Sequence, residues 1–199
     1  DTASNPVPGV SVKFALGSAP SGATGQALND TVVVTDSIGQ ARTFLKLGTK
    51  VGQYTATAIS GTLSGSPISF AATAIAGTPA RLVAISGDRQ NSPVSTVLPQ
   101  PFVVQVTDNQ LNPITGVTVN FGIVSAPVNA TGQVLDASQR TTNSQGLASV
   151  TLTLGDKAGD YRVDATSALI AGGVASFTGT ATATLSIAKT LLLTSGQDQ

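Results

Sequence analysis

The chain has 199 residues, of which 41% are hydrophobic and 10% charged, with ten basic and ten acidic side chains and a formal net charge of zero. A typical globular protein carries about 25% charged residues, and without a cationic surplus a nucleic-acid partner is excluded. Cys, His, Met and Trp are absent and all ten acids are Asp, which removes disulfides, Ser-His-Asp and Cys-His catalysis, and the ordinary zinc and iron sites.

The length allows one large domain or two of about 100 residues, and no apolar run reaches the roughly 18 residues of a membrane helix. Thr, Val, Ser, Gly and Ala dominate and Glu is missing. Thr and Val favour the pleated strand surface, so the chain reads as many short strands punctuated by Gly and Pro.

In chain order, Asn5-Pro6 halts the backbone and Val10, Val12 and Phe14 then alternate with Ser11 and Lys13. Successive strand side chains point to opposite faces, so the apolar set faces a core. Asp36-Ser37-Ile38-Gly39 reads as a hairpin connection, and Gly48-Thr49-Lys50-Val51-Gly52 as the next turn, followed by Tyr54 on an inward position. Phe102-Val103-Val104-Gln105-Val106 is a strand, and Asn112-Pro113 a halt. Val117, Val119 and Phe121 face inward, and Asn143-Ser144-Gln145-Gly146 reads as a second hairpin connection. Ala148, Val150, Leu152 and Leu154 form the next inward set, then come the turn from Gly155 to Gly159 and the set Tyr161, Val163 and Ala165. One apolar and one polar face per strand is the pattern of antiparallel sheets packed together.

The elements recur at a fixed displacement of 107 positions, Asn112 against Asn5. The same displacement carries Val10-Ser11-Val12-Lys13-Phe14 onto Val117-Thr118-Val119-Asn120-Phe121, Ala23-Thr24-Gly25-Gln26 onto Ala130-Thr131-Gly132-Gln133, Gly52 and Tyr54 onto Gly159 and Tyr161, and Phe70 onto Phe177. Such a period is the size of one sandwich domain. The predicted organisation is an incomplete domain over 1–77, a complete one over 78–184, and the first strand of a further repeat, or a donor strand, over 185–199. Residues 1–77 contain no counterpart of the strand from Phe102 to Val106, whereas residues 188–199 resemble residues 80–90. The fold class is all-β: tandem immunoglobulin-like Greek-key β-sandwiches.

Taken together, Ser86-Gly87-Asp88-Arg89-Gln90, Asp108, the run from Asn112 to Phe121, the hairpin from Thr142 to Ala148, and Gly159 and Tyr161 resemble the bacterial immunoglobulin-like domain of the invasin and intimin type, the Big-1 family. The resemblance implies tandem spacer domains that hold an adhesive tip away from the outer membrane, hence an extracellular or cell-surface location. The implied partners are copies of the chain or adjacent repeats, head to tail.

Most Asp residues fall at strand ends and turns, where the carboxylate takes backbone N–H groups, so neither catalysis nor a cofactor is expected. Asp108 with Asn109, or Asp156 with Asp160, are the candidates for calcium, a hard cation that takes oxygen ligands. No dense acidic run supports it, so turn chemistry is the preferred reading. Tyr54 and Tyr161 read as core or corner tyrosines rather than ligand-stacking groups. The alternatives to a stalk or filament are a ligand-binding adhesin module and a phage or virion decoration domain. The candidate inter-unit strand comprises Ala188, Leu191, Leu192, Leu193 and Thr194, expected to pair with the N-terminal sandwich of the next unit.

Overall fold

The computed structural model describes residues 2, 3, 5–61 and 63–184. All their regular structure is β-strand, with no helix long and apolar enough to cross a membrane. The chain divides into two compact units, Asp1–Pro79 with Thr107–Ile114, and Ala80–Val106 with Thr115–Gln199.

The first unit carries β1 (Ser11–Leu16), β2 (Ala27–Leu28), β3 (Val32–Val34), β4 (Leu45–Lys46), β5 (Gly52–Ile59) and β6 (Ile68–Ala74). Four of these form one antiparallel sheet in the order β3-β1-β5-β6, and β2 pairs with β4. The second carries β7 (Arg81–Ser86), β8 (Gln90–Pro93), β9 (Phe102–Thr107), β10 (Thr118–Ser125), β11 (Val134–Leu135), β12 (Gln139–Thr141), β13 (Leu147–Val150), β14 (Leu152–Thr153), β15 (Gly159–Thr166) and β16 (Val174–Thr182). Here a five-stranded sheet, β12-β10-β15-β16-β8, accompanies a three-stranded one, β13-β9-β7, and the short pair β11-β14.

Alternation builds the core of the second unit as read from the sequence. Val117, Val119, Phe121, Val150, Leu152, Tyr161 and Val163 are all buried, as are Phe102 and Val104. The rings of Phe102 and Phe177 stack with centroids 4.8 Å apart. The run Ser86-Gly87-Asp88-Arg89-Gln90 moves the chain between sheets. β7 pairs with β9, whereas β8 runs parallel to β16. At the switch Asp88 Oδ1 accepts the N–H of Thr178 at 2.8 Å, and the Gln90 side chain accepts the N–H of Gln100 at 2.8 Å.

Two turns differ from expectation. Asn143 does not close a hairpin, because β12 belongs to the five-stranded sheet and β13 to the three-stranded one. The Asn143 Oδ1 takes the N–H groups of Gln145 and Leu147 at 2.9 and 3.0 Å, and Gly146 holds φ at 72°. The loop is thus closed by its own side chain and needs no ladder between its flanks. Asp36 closes the same kind of loop on Ile38 and Gln40, but residues 41–44 beyond it form no strand.

Candidate strand-acceptor groove

The two units agree strand for strand over part of their length. Displacing β2, β3, β4 and β5 by the repeat gives β11, β12, β14 and β15 at both ends of each strand. In the second unit β13 exists because β9 lies beside it, with Ala148 opposite Val104 and Val150 opposite Phe102. The corresponding residues of the first unit, Ala41 and Thr43, have no such neighbour and join no ladder among the described residues.

The side chains report the same difference. Phe177 is 0% exposed under Phe102, whereas its counterpart Phe70 is 53% exposed. Ala175 is 5% exposed and its counterpart Ile68 55%. A largely apolar groove of about 320 Å³ opens beside Phe70, lined also by Phe14, Leu28, Ala41, Arg42, Thr43, Leu45 and Ala56. In the second unit the equivalent space is filled by the inward side chains of β9, and Phe102, Val104 and Val106 are each fully buried there. Burying such a side chain contributes about 1.5–3 kcal/mol, so the groove leaves several kcal/mol of apolar burial unused. An unpaired strand edge beside an apolar slot is a template for an added strand.

The sequence candidates for that strand, Ala188, Leu191, Leu192, Leu193 and Thr194, lie outside the described residues. The exposure of Phe70 and Ile68 is not marked in the local sequence, although the repeat aligns them with the buried Phe177 and Ala175.

The tyrosines are corner residues. Tyr54 donates its hydroxyl to the Lys50 carbonyl at 2.7 Å, and Tyr161 to that of Lys157 at 2.8 Å. Both are essentially buried. At each corner a glycine admits the phenol: a Cβ on Gly155 would stand 2.7 Å from Tyr161 Oη and 2.8 Å from the Thr131 carbonyl.

The acids singled out for calcium each hold hydrogen bonds within the fold, Asp108 and Asp156 at turns and Asp160 across the pair of β15 and β16. Asp108 is buried, and its carboxylate accepts the N–H groups of Gly77, Gln110 and Asn112 at 3.0, 2.9 and 2.8 Å and the Asn112 side-chain amide at 2.9 Å. Burial pushes this carboxyl up, but the Asn112 side chain and the backbone donors of Gly77, Asn112 and Gln110 together hold it below the ordinary carboxylate value. Asp156 accepts the Thr131 N–H at 2.8 Å, which, with the nearby Lys157 ammonium, likewise lowers its carboxyl. Asp160 accepts the Thr180 hydroxyl at 2.7 Å. Among the described residues no group of three or more acidic side chains could hold a metal ion.

No family model matches the chain, and no curated protein does. Solved structures do. The structure of FdeC, an Escherichia coli adhesin, superposes with a TM-score of 0.57 at 20% identity, over 91% of this chain and 56% of that one. Yersinia pseudotuberculosis InvD gives a TM-score of 0.51 at 20% identity, over 92% of this chain and 50% of that one. The chain thus spans about half the length of these two structures. At this level of identity the likeness is one of fold alone, the all-β architecture that the chain shares with these two structures.

Proposed function

We propose that the chain is a structural segment of an exported bacterial surface protein, one stretch of a stalk or filament of stacked immunoglobulin-like units. Its location would be extracellular or at the cell surface, and its partners further copies or repeats arranged head to tail. The duplication at 107 positions, Asn112 against Asn5, supports a tandem array. The likeness to an adhesin structure supports the surface setting, and the absence of His and Cys leaves no ordinary catalytic machinery to set against it.

The open core of the first unit carries the proposal. Phe70 is 53% exposed where its counterpart Phe177 is 0% exposed, and an added strand would bury it. Strand addition supplies backbone hydrogen bonds along the edge and pockets for alternate side chains. The donor in this reading is the segment of Ala188, Leu191, Leu192, Leu193 and Thr194 of a neighbouring unit, which offers apolar side chains to the groove. Sedimentation of the intact chain tests this. Concentration-dependent oligomers that disappear when residues 188–199 are removed are expected. A monomer at all concentrations, or oligomers that survive the truncation, would overturn strand exchange.

A further inference from the structure

The strand β3 stands at the end of the order β3-β1-β5-β6, and its counterpart β12 at the end of β12-β10-β15-β16-β8. In the second unit β7, β8 and β9 pair elsewhere, with β9, β16 and β13, so this edge stays open with those strands in place. On β3, the Thr31 carbonyl accepts the Phe14 N–H at 2.8 Å and the Thr35 N–H donates to the Val10 carbonyl at 2.9 Å. Ladder bonds of an antiparallel pair alternate along the strand, so the N–H and C=O groups of Val32 and Val34 point away from β1. Among the described residues no strand receives them.

The side chains set this edge apart from its counterpart. Val32 and Val34 are 59% and 57% exposed, on the same face as Lys13 and Ser11, their partners across the ladder. At the same places β12 carries Gln139, Arg140 and Thr141. Arg140 Nη2 donates to Asp136 Oδ2 at 2.9 Å and Arg140 Nε to the Ser149 carbonyl at 3.2 Å. A charge on an edge strand keeps a second edge from pairing with it. The first unit has valine where that charge stands, within a run of β-branched residues that favours strand pairing.

The run Asp30-Thr31-Val32-Val33-Val34-Thr35-Asp36 reads the same in both directions. A two-fold contact sets one patch against itself, and antiparallel pairing about Val33 puts Val32 against Val34, and Thr31 against Thr35, of a second copy. We propose that β3 pairs edge to edge, antiparallel, with β3 of a second copy of this chain. Each Val32 then exchanges its free N–H and C=O with a Val34 of the other copy, and the Val33 residues meet on the axis. The ladder ends there. The Asp30 N–H and C=O are both held by the Thr43 hydroxyl, at 3.1 and 2.9 Å, and the Asp36 N–H bonds the Gln40 carbonyl at 2.9 Å. Beyond the valines Asp30 faces Asp36 of the second copy, and like charges directly opposite resist a longer ladder. The result is a short lateral contact that joins two copies side by side and uses no part of the groove beside Phe70.

The chain has no cysteine of its own, so engineered thiols read the register. Facing residues that share no ladder bond lie about 4.5 Å apart at Cα, within the span of a disulfide. Val33→Cys should therefore trap a dimer of identical chains under mild oxidation. Val32→Cys is the control: it is the more exposed position, but it stands diagonal to its own copy at about 7–8 Å. Trapping by Val33→Cys is expected to be at least about tenfold faster than by Val32→Cys, because pairing raises the effective concentration of facing thiols. Adding Val32→Lys and Val34→Lys to the Val33→Cys chain sets lysine against lysine and should remove the advantage. Val32→Lys with Val34→Glu sets each lysine against a glutamate and should restore it. Equal trapping at positions 32 and 33, or equal rates with the two charge patterns, would overturn the pairing. Strand addition at Phe70 does not involve β3, so either reading can fail while the other stands.

Discussion

Phe121 lies on the inward face of β10, 4% exposed, opposite Ala165 of β15. Its truncation leaves a cavity that a packed sandwich cannot collapse, so Phe121→Ala should cost about 3–5 kcal/mol. Chemical denaturation measures this, and a change under about 1 kcal/mol would place the ring on the wrong face. Asp108 makes a different kind of contribution. Its carboxyl is held below the ordinary value of 3.8, so the folded state binds its proton less readily than the unfolded state does. The stabilisation is therefore complete above the unfolded value and is lost as pH falls through the folded one. Stability measured between about pH 5 and pH 2 should fall with acid, and more shallowly in Asp108→Asn, which has no proton to take up. An identical slope in that variant would mean that the turn draws nothing from the charge.

At the scale of the element, whether a segment becomes a strand depends on its neighbour. Residues 147–150 and residues 40–43 occupy the same place in the repeat, yet only the former are a strand, β13, because β9 supplies the ladder. A synthetic peptide of residues 101–107 is therefore expected to bind the first unit, with its phenylalanine reaching Phe70 as Phe102 reaches Phe177. Calorimetry should show binding by this peptide and its loss in one carrying Phe102→Ala, while equal binding by both would deny that the groove reads the alternation. The inward faces of β10, β13 and β15 were legible in the sequence because alternation and burial coincide there. The connections at Asp36 and Asn143 were not. A four-residue run ending in Gly looks alike whether its flanks pair with each other or with different partners, and only the sheet order separates the two. The Asx loop closed by Asn143 Oδ1 explains why no pairing is needed.

At the scale of the whole molecule, the displacement of 107 positions, Asn112 against Asn5, was readable from the sequence alone. The turn role of Asp108 towards Gln110 and Asn112 was legible too, but its bond to Gly77 was not, because that partner is 31 residues away. At Phe70 the first unit exposes a ring whose counterpart Phe177 is buried in the second, and the sparing use of charge, 10% of residues, lowers the cost of burying surface there. Amide hydrogen exchange across residues 40–46 tests the strand acceptor most directly, read against residues 147–153 as an internal standard. In dilute solution the first segment should exchange fast and the second slowly. At concentrations where the chain assembles, residues 40–46 should become protected towards the level of 147–153. Exchange at 40–46 that stays fast at every concentration, or is slow already in the dilute monomer, would contradict strand addition between units.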